Sequence, residues 1–247
     1  GTSRFSKGRQ RIGLGYAWGW VAHERRGIAR AVERVLVREG FAFTHVADGH
    51  ACRKRLENEH WDGLVVDVAL PGVAGYELVD AARAAAPNAG AKVIVLVASV
   101  YRRTSYKRRP SRLYGADDYV EIHHLCDTLP RKLYEHLEVE PVPPEPDAEA
   151  EAREALRVEG DTRMEDPHAD HLRLASLIVA DMVLYNGDAI HGATDLAGAM
   201  AAVRPDLEIA QELFAQVARS EGAQIPGDPI GEAFGALMAA MGRGEPQ

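Results

Sequence analysis

The sequence is poor in cysteine, in aromatic residues and in long apolar runs. Cys52 and Cys126 are its two cysteines, too few for a disulfide framework, so we expect a protein of the reducing cytoplasm. No apolar run approaches the roughly 18 residues of a membrane span. The charged start at residues 1–14 lacks the apolar core of a signal peptide, and we interpret it as a loose arm or a tag remnant. These absences predict a soluble protein that makes no contact with a membrane.

Charge is abundant and unevenly distributed along the chain. The formal net charge is −8 over 247 residues. Residues 1–137 carry 22 Lys and Arg against 15 Asp and Glu, residues 138–166 carry 3 against 11, and residues 167–247 carry 4 against 11. A basic front half before an acidic back half allows contact between the halves or with a separate anionic partner. Two solvated surfaces are the plainer alternative.

The front half alternates between strand-like and helix-like runs. Two of the strand-like runs, "GLVVDV" and "AKVIVLVAS", are continuously apolar, as in strands buried on both faces of a sheet. Alternation with short connections predicts an α/β fold, a doubly wound five-stranded parallel sheet with helices on both faces. The predicted strands are 15–22, 41–47, 63–68, 91–99 and 116–122, and the predicted helices are 26–40, 49–60, 75–87 and 126–137.

The back half has a different composition. Residues 138–166 hold four prolines and eleven acids, which predicts a linker, extended at its Pro-rich start and with a transient helix at 147–158. Residues 167–247 show helical periodicity alone and predict a small all-α domain. Its Ala-rich helices would suit a bundle or a homodimer. The predicted helices are 168–185, 189–203, 206–222 and 229–241.

Two acids fall at the edge of the sheet where ligands usually bind. Asp67 ends the strand at 63–68 and Glu24 follows the strand at 15–22, and the carboxyl ends of parallel strands share one edge. Mg²⁺ would relieve the repulsion of two close carboxylates, and a carboxylate so assisted can accept a phosphoryl group. Alternatively, Asp67 caps the next helix and Glu24 begins the first one.

Three short motifs carry a family resemblance. They are the "ADG" turn at 47–49, "ALPGVAG" directly after Val68, and "YGADDYV" at 114–120. With the residues around them they resemble the receiver domain of bacterial two-component response regulators, over residues 15–137. The resemblance implies a flavodoxin-like fold, a signalling protein rather than an enzyme, and Asp67 as acceptor of phosphate from a histidine kinase.

The resemblance is partial at the positions that handle phosphate. The acid pair that binds Mg²⁺ in the family falls on His23 and Glu24, so Glu24 and Asp67 are left as the implied metal ligands. Tyr119 takes the position of the aromatic residue that switches rotamer. The hydroxyl position falls on Val97, with Ser99 as a possible replacement two residues later. The conserved lysine position falls on Ile122, which cannot make a charged contact.

A basic loop follows the fourth strand, and three interpretations of it stay open. An arginine such as Arg102 or Arg103 would replace the missing lysine by gripping the phosphate, the loop would dock the acidic linker or back domain, or it is simply solvated. Its cations are Arg102, Arg103, Lys107, Arg108, Arg109 and Arg112.

Two further chemistries find little support. Residues 121–127, "EIHHLCD", offer zinc-ligating types, but no second pair of ligands stands elsewhere in the chain. The acidic back domain has few cations to meet phosphates, which argues against DNA binding through it. Two functions compete: an atypical response regulator phosphorylated on Asp67, and a pseudo-receiver adaptor that binds partners without phosphorylation.

Overall fold

The computed structural model describes most of the two halves. The described residues are 17–85, 92–98, 100, 104–137, 150, 152–157, 171–220, 222–223 and 225–242. Five strands form one parallel sheet in the order β2-β1-β3-β4-β5, which confirms the predicted α/β fold. The strands are β1 (Trp18–Ala22), β2 (Ala42–Val46), β3 (Gly63–Asp67), β4 (Val93–Ala98) and β5 (Asp118–Glu121).

Four helices belong to the α/β part, and each begins close to its predicted start. The last begins at Leu129 rather than at residue 126, because residues 122–124 first form a 3-10 turn. The helices are α1 (Arg26–Arg38), α2 (Gly49–Asn58), α3 (Gly75–Ala85) and α4 (Leu129–Leu137).

The sheet carries a separate apolar core on each face. One core joins α1 and α4 to side chains such as Val65 and Val95. The other joins α2 and α3 to the opposite side chains of the same strands, Leu64 and Ile94. Because β3 and β4 are buried along their whole length, their continuous apolar runs are explained by burial on both faces.

The connection from β4 to β5 lacks a regular helix in the residues described. Residue 100 and residues 104–117 form turns and irregular backbone, although a parallel crossover usually contains a helix. A helix of the back half, α5 (His171–Leu184), covers the sheet there. Its buried residues, among them Leu177 and Ile178, belong to the same core as α2 and α3.

After α5, four more helices follow among the described residues. They are α6 (Gly187–His191), α7 (Leu196–Ala202), α8 (Arg204–Ser220) and α9 (Pro229–Ala240). The prediction of a single helix at 189–203 is wrong. The chain leaves the helix after His191 and starts a new one where the Asp195 side chain accepts a hydrogen bond from the Gly198 amide, at 2.7 Å. Such a cap favours a helix start over a continuous helix.

Part of the acidic segment is folded onto the α/β part. Residues 152–157 are helical, and Ala152 and Leu156 are buried in the core that contains α1 and α4. Packing therefore stabilises the helix that the sequence predicted as transient.

Candidate functional site

Asp67 lies at the centre of the carboxyl edge of the sheet. It is the last residue of β3, the middle strand, and its side chain is fully buried. Its Oδ1 accepts a hydrogen bond from the Ala69 amide at 2.8 Å. The alternative that Asp67 caps α3 is wrong, since Glu77 takes that role by accepting from the Ala74 amide at 3.1 Å. The acid is thus held in a turn at the strand end.

The loop after β1 brings His23 to this carboxylate. His23 is buried, and its Nε2 lies 3.4 Å from Oδ2 of Asp67. The Arg25 amide donates to Nδ1 of the ring at 3.0 Å. In the neutral ring the proton therefore sits on Nε2, which faces the carboxylate. The imidazole presents an N–H group at the position where the resemblance leads one to expect an acid.

Glu24 is bound to an arginine from the back half of the chain. The Nε of Arg173, in the first turn of α5, donates to Oε2 of Glu24 at 3.1 Å. An NH2 group of the same side chain donates to the Ala69 carbonyl oxygen. Burial lowers the pKa of Arg173, and the nearby Asp67 charge acts in the opposite direction. Arg173 is therefore part of the acid site, although no sequence motif pointed to it.

The positions that handle phosphate in the resemblance are apolar. Val97 is the β4 residue paired with Asp67 in the sheet, and it is buried. Ile122 is buried in the core that holds α1 and α4. Ser99, Arg102 and Arg103 lie outside the described residues. Within the part of the chain that is described, the cationic side chain that contacts the acid site through hydrogen bonds is Arg173.

Three cations of the basic loop contact the back half, in line with the docking interpretation: Lys107, Arg108 and Arg112. Arg112 contacts Asp188 at 2.9 Å and Arg108 contacts Asp206. Lys107 donates to the Val100 carbonyl oxygen at 2.6 Å and lies 3.7 Å from the buried Asp181. Both named pairs and the Lys107 contact join the loop to helices α5, α6 and α8.

Tyr119 lies where β5 meets the back half. Its ring is 6.3 Å from the ring of Tyr185, edge to face, and the Lys132 ammonium lies 5.3 Å from its centroid. Burial raises the pKa of the Tyr119 phenol. A change in the Tyr119 rotamer would therefore alter its contact with Tyr185, which directly follows α5.

Each histidine of the pair near the end of β5 lies beside a carboxylate. His123 lies 3.2 Å from Glu121, and His124 lies 3.4 Å from Asp127. Across the described ranges, no group of three or more His, Cys, Asp or Glu side chains has a geometry that could hold a metal ion. No helix in those ranges is both long and apolar enough to cross a membrane.

Comparison with known proteins finds a family match within the front half. Residues 20–121 match the response regulator receiver domain family. The transcriptional regulatory protein TctD of Salmonella typhimurium (strain SL1344) is 34% identical over 101 residues. That alignment covers 40% of this chain and 42% of TctD, so less than half of each protein is compared.

Solved receiver structures resemble about half of the chain. TrrA of Thermotoga maritima, in complex with Mg²⁺-BeF, is 22% identical, with a TM-score of 0.42, covering 49% of this chain and 99% of that chain. The receiver domain of a sensor histidine kinase of Pseudomonas aeruginosa PAO1, with a magnesium ion in its active-site cleft, is 18% identical. Its TM-score is 0.39, and it covers 50% of this chain and 98% of that chain.

Magnesium does not fit the acid site in the arrangement described. The Glu24 and Asp67 carboxylates and the Ala69 carbonyl oxygen are hard oxygen donors of the kind that Mg²⁺ prefers. However, the Glu24 carboxylate and the Ala69 carbonyl both accept hydrogen bonds from Arg173. A cation bound to the same oxygens would meet the positive guanidinium at close range, which is strongly unfavourable in a buried site.

Proposed function

Because residues 20–121 are a response regulator receiver domain, we propose that this protein is an atypical response regulator with Asp67 as its phosphoryl acceptor. The observation that carries the proposal is the position of Asp67, a buried carboxylate at the end of the central strand, with His23 and Glu24 on the neighbouring loop. The partner would be a histidine kinase or another signalling protein. The helices after residue 167 would form the output or oligomerisation part.

The reaction is a phosphoryl transfer to a carboxylate. An Asp67 oxygen attacks phosphorus, a P–O bond forms, the bond to the donor atom breaks, and an acyl phosphate results. The His23 N–H and the Arg173 guanidinium would lie near the added negative charge. Since Asp67 is fully buried, the site must open before a donor can reach it, and Arg173 would move as part of that opening.

The output would follow from the way α5 is attached. The same helix contacts the acid site through Arg173 and the crossover after β4 through Asp181, whose carboxylate accepts from the Val100 amide at 2.9 Å. Tyr185, directly after α5, contacts Tyr119. Phosphorylation would thus change the docking of α5, and with it the surface that α6–α9 offer to a partner.

Mass spectrometry of the intact protein tests the proposal. We expect one added phosphoryl group after incubation with acetyl phosphate, with and without Mg²⁺ in parallel samples. Asp67→Asn should remove the addition, because the amide is no nucleophile for phosphorus. Asp80→Asn, an exposed acid on α3, serves as the matched control and should leave the addition intact.

A second candidate is a phosphorylation-independent adaptor. It is favoured by Arg173, which already neutralises the site, and by the apolar Val97 and Ile122 in place of the residues that handle phosphate. An unchanged mass, both with acetyl phosphate and with a panel of histidine kinases, would contradict the first candidate and leave the adaptor.

DNA binding is not part of either candidate. TctD is a transcriptional regulatory protein, but its alignment with this chain covers 40% of the residues here. The back half is acidic, and its Arg173 is engaged by Glu24. We expect no binding to random duplex DNA at low salt, measured by fluorescence anisotropy.

A further inference from the structure

We propose that Arg173 is a built-in counter-cation of the acid site, and that docking of the α5 N-terminus and binding of Mg²⁺ at Glu24 and Asp67 exclude each other. The inference rests on the proposed function only in treating Asp67 as the reacting acid. It concerns which cation the acid site holds, a tethered guanidinium or a free metal ion.

Two oxygen acceptors of the site come from different loops and are bound by one side chain. Glu24 belongs to the loop after β1, and Ala69 to the turn after Asp67. Arg173 reaches both of them from a helix 149 residues further along the chain than Glu24. A guanidinium can make several directed hydrogen bonds at once, so it satisfies a carboxylate and a carbonyl that would otherwise suit a hard metal ion.

Arg173 is placed there by the rest of its helix. The hydroxyl of Tyr76 donates to the Ala180 carbonyl oxygen at 2.6 Å. The hydroxyl of Tyr114 donates to the Val183 carbonyl oxygen at 2.8 Å. Asp181 is fixed by the Val100 amide. These contacts hold α5 along the sheet, and the first turn of the helix then lies beside the acid site. The guanidinium occupies the site as long as the helix is docked.

A path for a small ion leads to the same place. A cleft of about 420 Å³ opens between the turn after β3 and helices α5 and α9, and Ala69 and Arg173 are among its lining residues. Water and ions can therefore approach the guanidinium from solvent. Exclusion of Mg²⁺ is then a matter of charge and of occupied donors, not of a closed surface.

Two ligands that exclude each other are thermodynamically linked. If the docked Arg173 competes with Mg²⁺, its removal must tighten Mg²⁺ binding, and the gain must depend on the Glu24 carboxylate that Arg173 releases. If Arg173 had a purely structural role, its loss would change stability without creating a metal site.

Isothermal titration with MgCl₂ tests the inference. We expect Arg173→Gln to bind Mg²⁺ about tenfold or more tightly than the wild type does. Arg204→Gln removes an exposed arginine at the start of α8 and should match the wild type. The double variant Arg173→Gln/Glu24→Gln should lose the gain. Arg173→Lys, which keeps the charge without the fork, should show a smaller gain and serves if Arg173→Gln does not fold.

The outcomes separate this inference from the proposed function. Equal Mg²⁺ affinities in wild type and Arg173→Gln, absence of binding in both, or a gain that survives Glu24→Gln would each overturn the competition. None of these results depends on phosphorylation. Conversely, failure of Asp67 to gain a phosphoryl group, together with a Glu24-dependent gain of Mg²⁺ binding, would overturn the proposed function and support the competition.

Discussion

Asp181 is a buried acid through which α5 contacts the crossover after β4. Its carboxylate accepts hydrogen bonds from the Val100 amide at 2.9 Å and the Tyr106 hydroxyl at 3.2 Å, and the Lys107 ammonium lies 3.7 Å away. Glu121 adds a weaker repulsion. Burial dominates these contacts and raises the pKa of Asp181 from 3.8 to about 6.

This raised pKa predicts a pH-dependent contribution to stability. Between about pH 4 and 6 the folded state binds more protons at Asp181 than the unfolded state does. The contribution of Asp181 is therefore most favourable below this window and is lost as the pH rises through it. Asp181→Asn should remove this dependence. Between pH 4 and 7 the free energy of unfolding of the variant should therefore rise, relative to that of the wild type, by up to about 3 kcal/mol.

Urea unfolding at several pH values measures the effect. Glu208→Gln, at an exposed position of α8, changes the net charge equally and should leave the pH dependence of the wild type in place. If the free energies of unfolding of the wild type and Asp181→Asn changed in parallel between pH 4 and 7, the raised pKa of Asp181 would be contradicted.

The sequence predicted the positions of those residues that depend on local patterns along the chain. Asp67 was predicted at a strand end because an apolar run stops there, and the family resemblance implied that the hydroxyl position of the family falls on Val97, which pairs with Asp67 in the sheet. The participation of Arg173 could not be predicted. In the sequence it is one of few cations in an acidic region, and its partner Glu24 is 149 residues away.

At the scale of elements, α5 replaces the helix that the β4–β5 crossover lacks among its described residues. Its apolar residues complete the core on that face of the sheet. Two tyrosine hydroxyls bind its carbonyl oxygens, and the one on Tyr76 is fully buried. The helix is attached to the sheet by packing and by directed hydrogen bonds.

Loss of a single hydroxyl should weaken this attachment measurably. Tyr76→Phe removes the bond to Ala180 and should lower the free energy of unfolding by about 1 kcal/mol. Tyr119→Phe is the matched control, because the Tyr119 hydroxyl makes no hydrogen bond among the described residues. Equilibrium urea unfolding gives both values, and equal stability of Tyr76→Phe and wild type would show that the bond contributes nothing.

Element types were predictable because periodicity is a local property. Buried strands such as β3 and β4 are apolar throughout, and amphipathic helices such as α1 repeat every three to four residues. The interruption between α6 and α7 was missed, since apolar spacing continued across it. There the helix cap formed by Asp195 determined the start of α7, against the apolar spacing.

At the scale of the whole molecule, one core joins the two halves. It contains Leu64 and Ile94 of the sheet together with Ile178 of α5, Phe214 of α8 and Phe234 of α9. Unfolding one half would therefore expose apolar surface of the other, at a free-energy cost of about 25 cal/mol per Å² of that surface. We expect the two halves to unfold in one transition.

Two spectroscopic probes test this cooperativity. All three tryptophans, Trp18, Trp20 and Trp61, lie in the α/β half, whereas far-UV circular dichroism reports helices of both halves. The two unfolding curves should coincide. Leu177→Ala, in buried α5, should shift both curves together and cost about 2–5 kcal/mol. Separate transitions, or a shift in the dichroism curve alone, would mean that the halves unfold independently.

The sequence by itself determined the parallel sheet, the helical back half and the place of Asp67, because apolar periodicity and strand ends are encoded within short stretches of chain. Only the tertiary structure decided that the halves share a core and that Arg173 lies at the acid site. Such contacts depend on side chains that are brought together by packing across more than a hundred residues, and no local pattern records them.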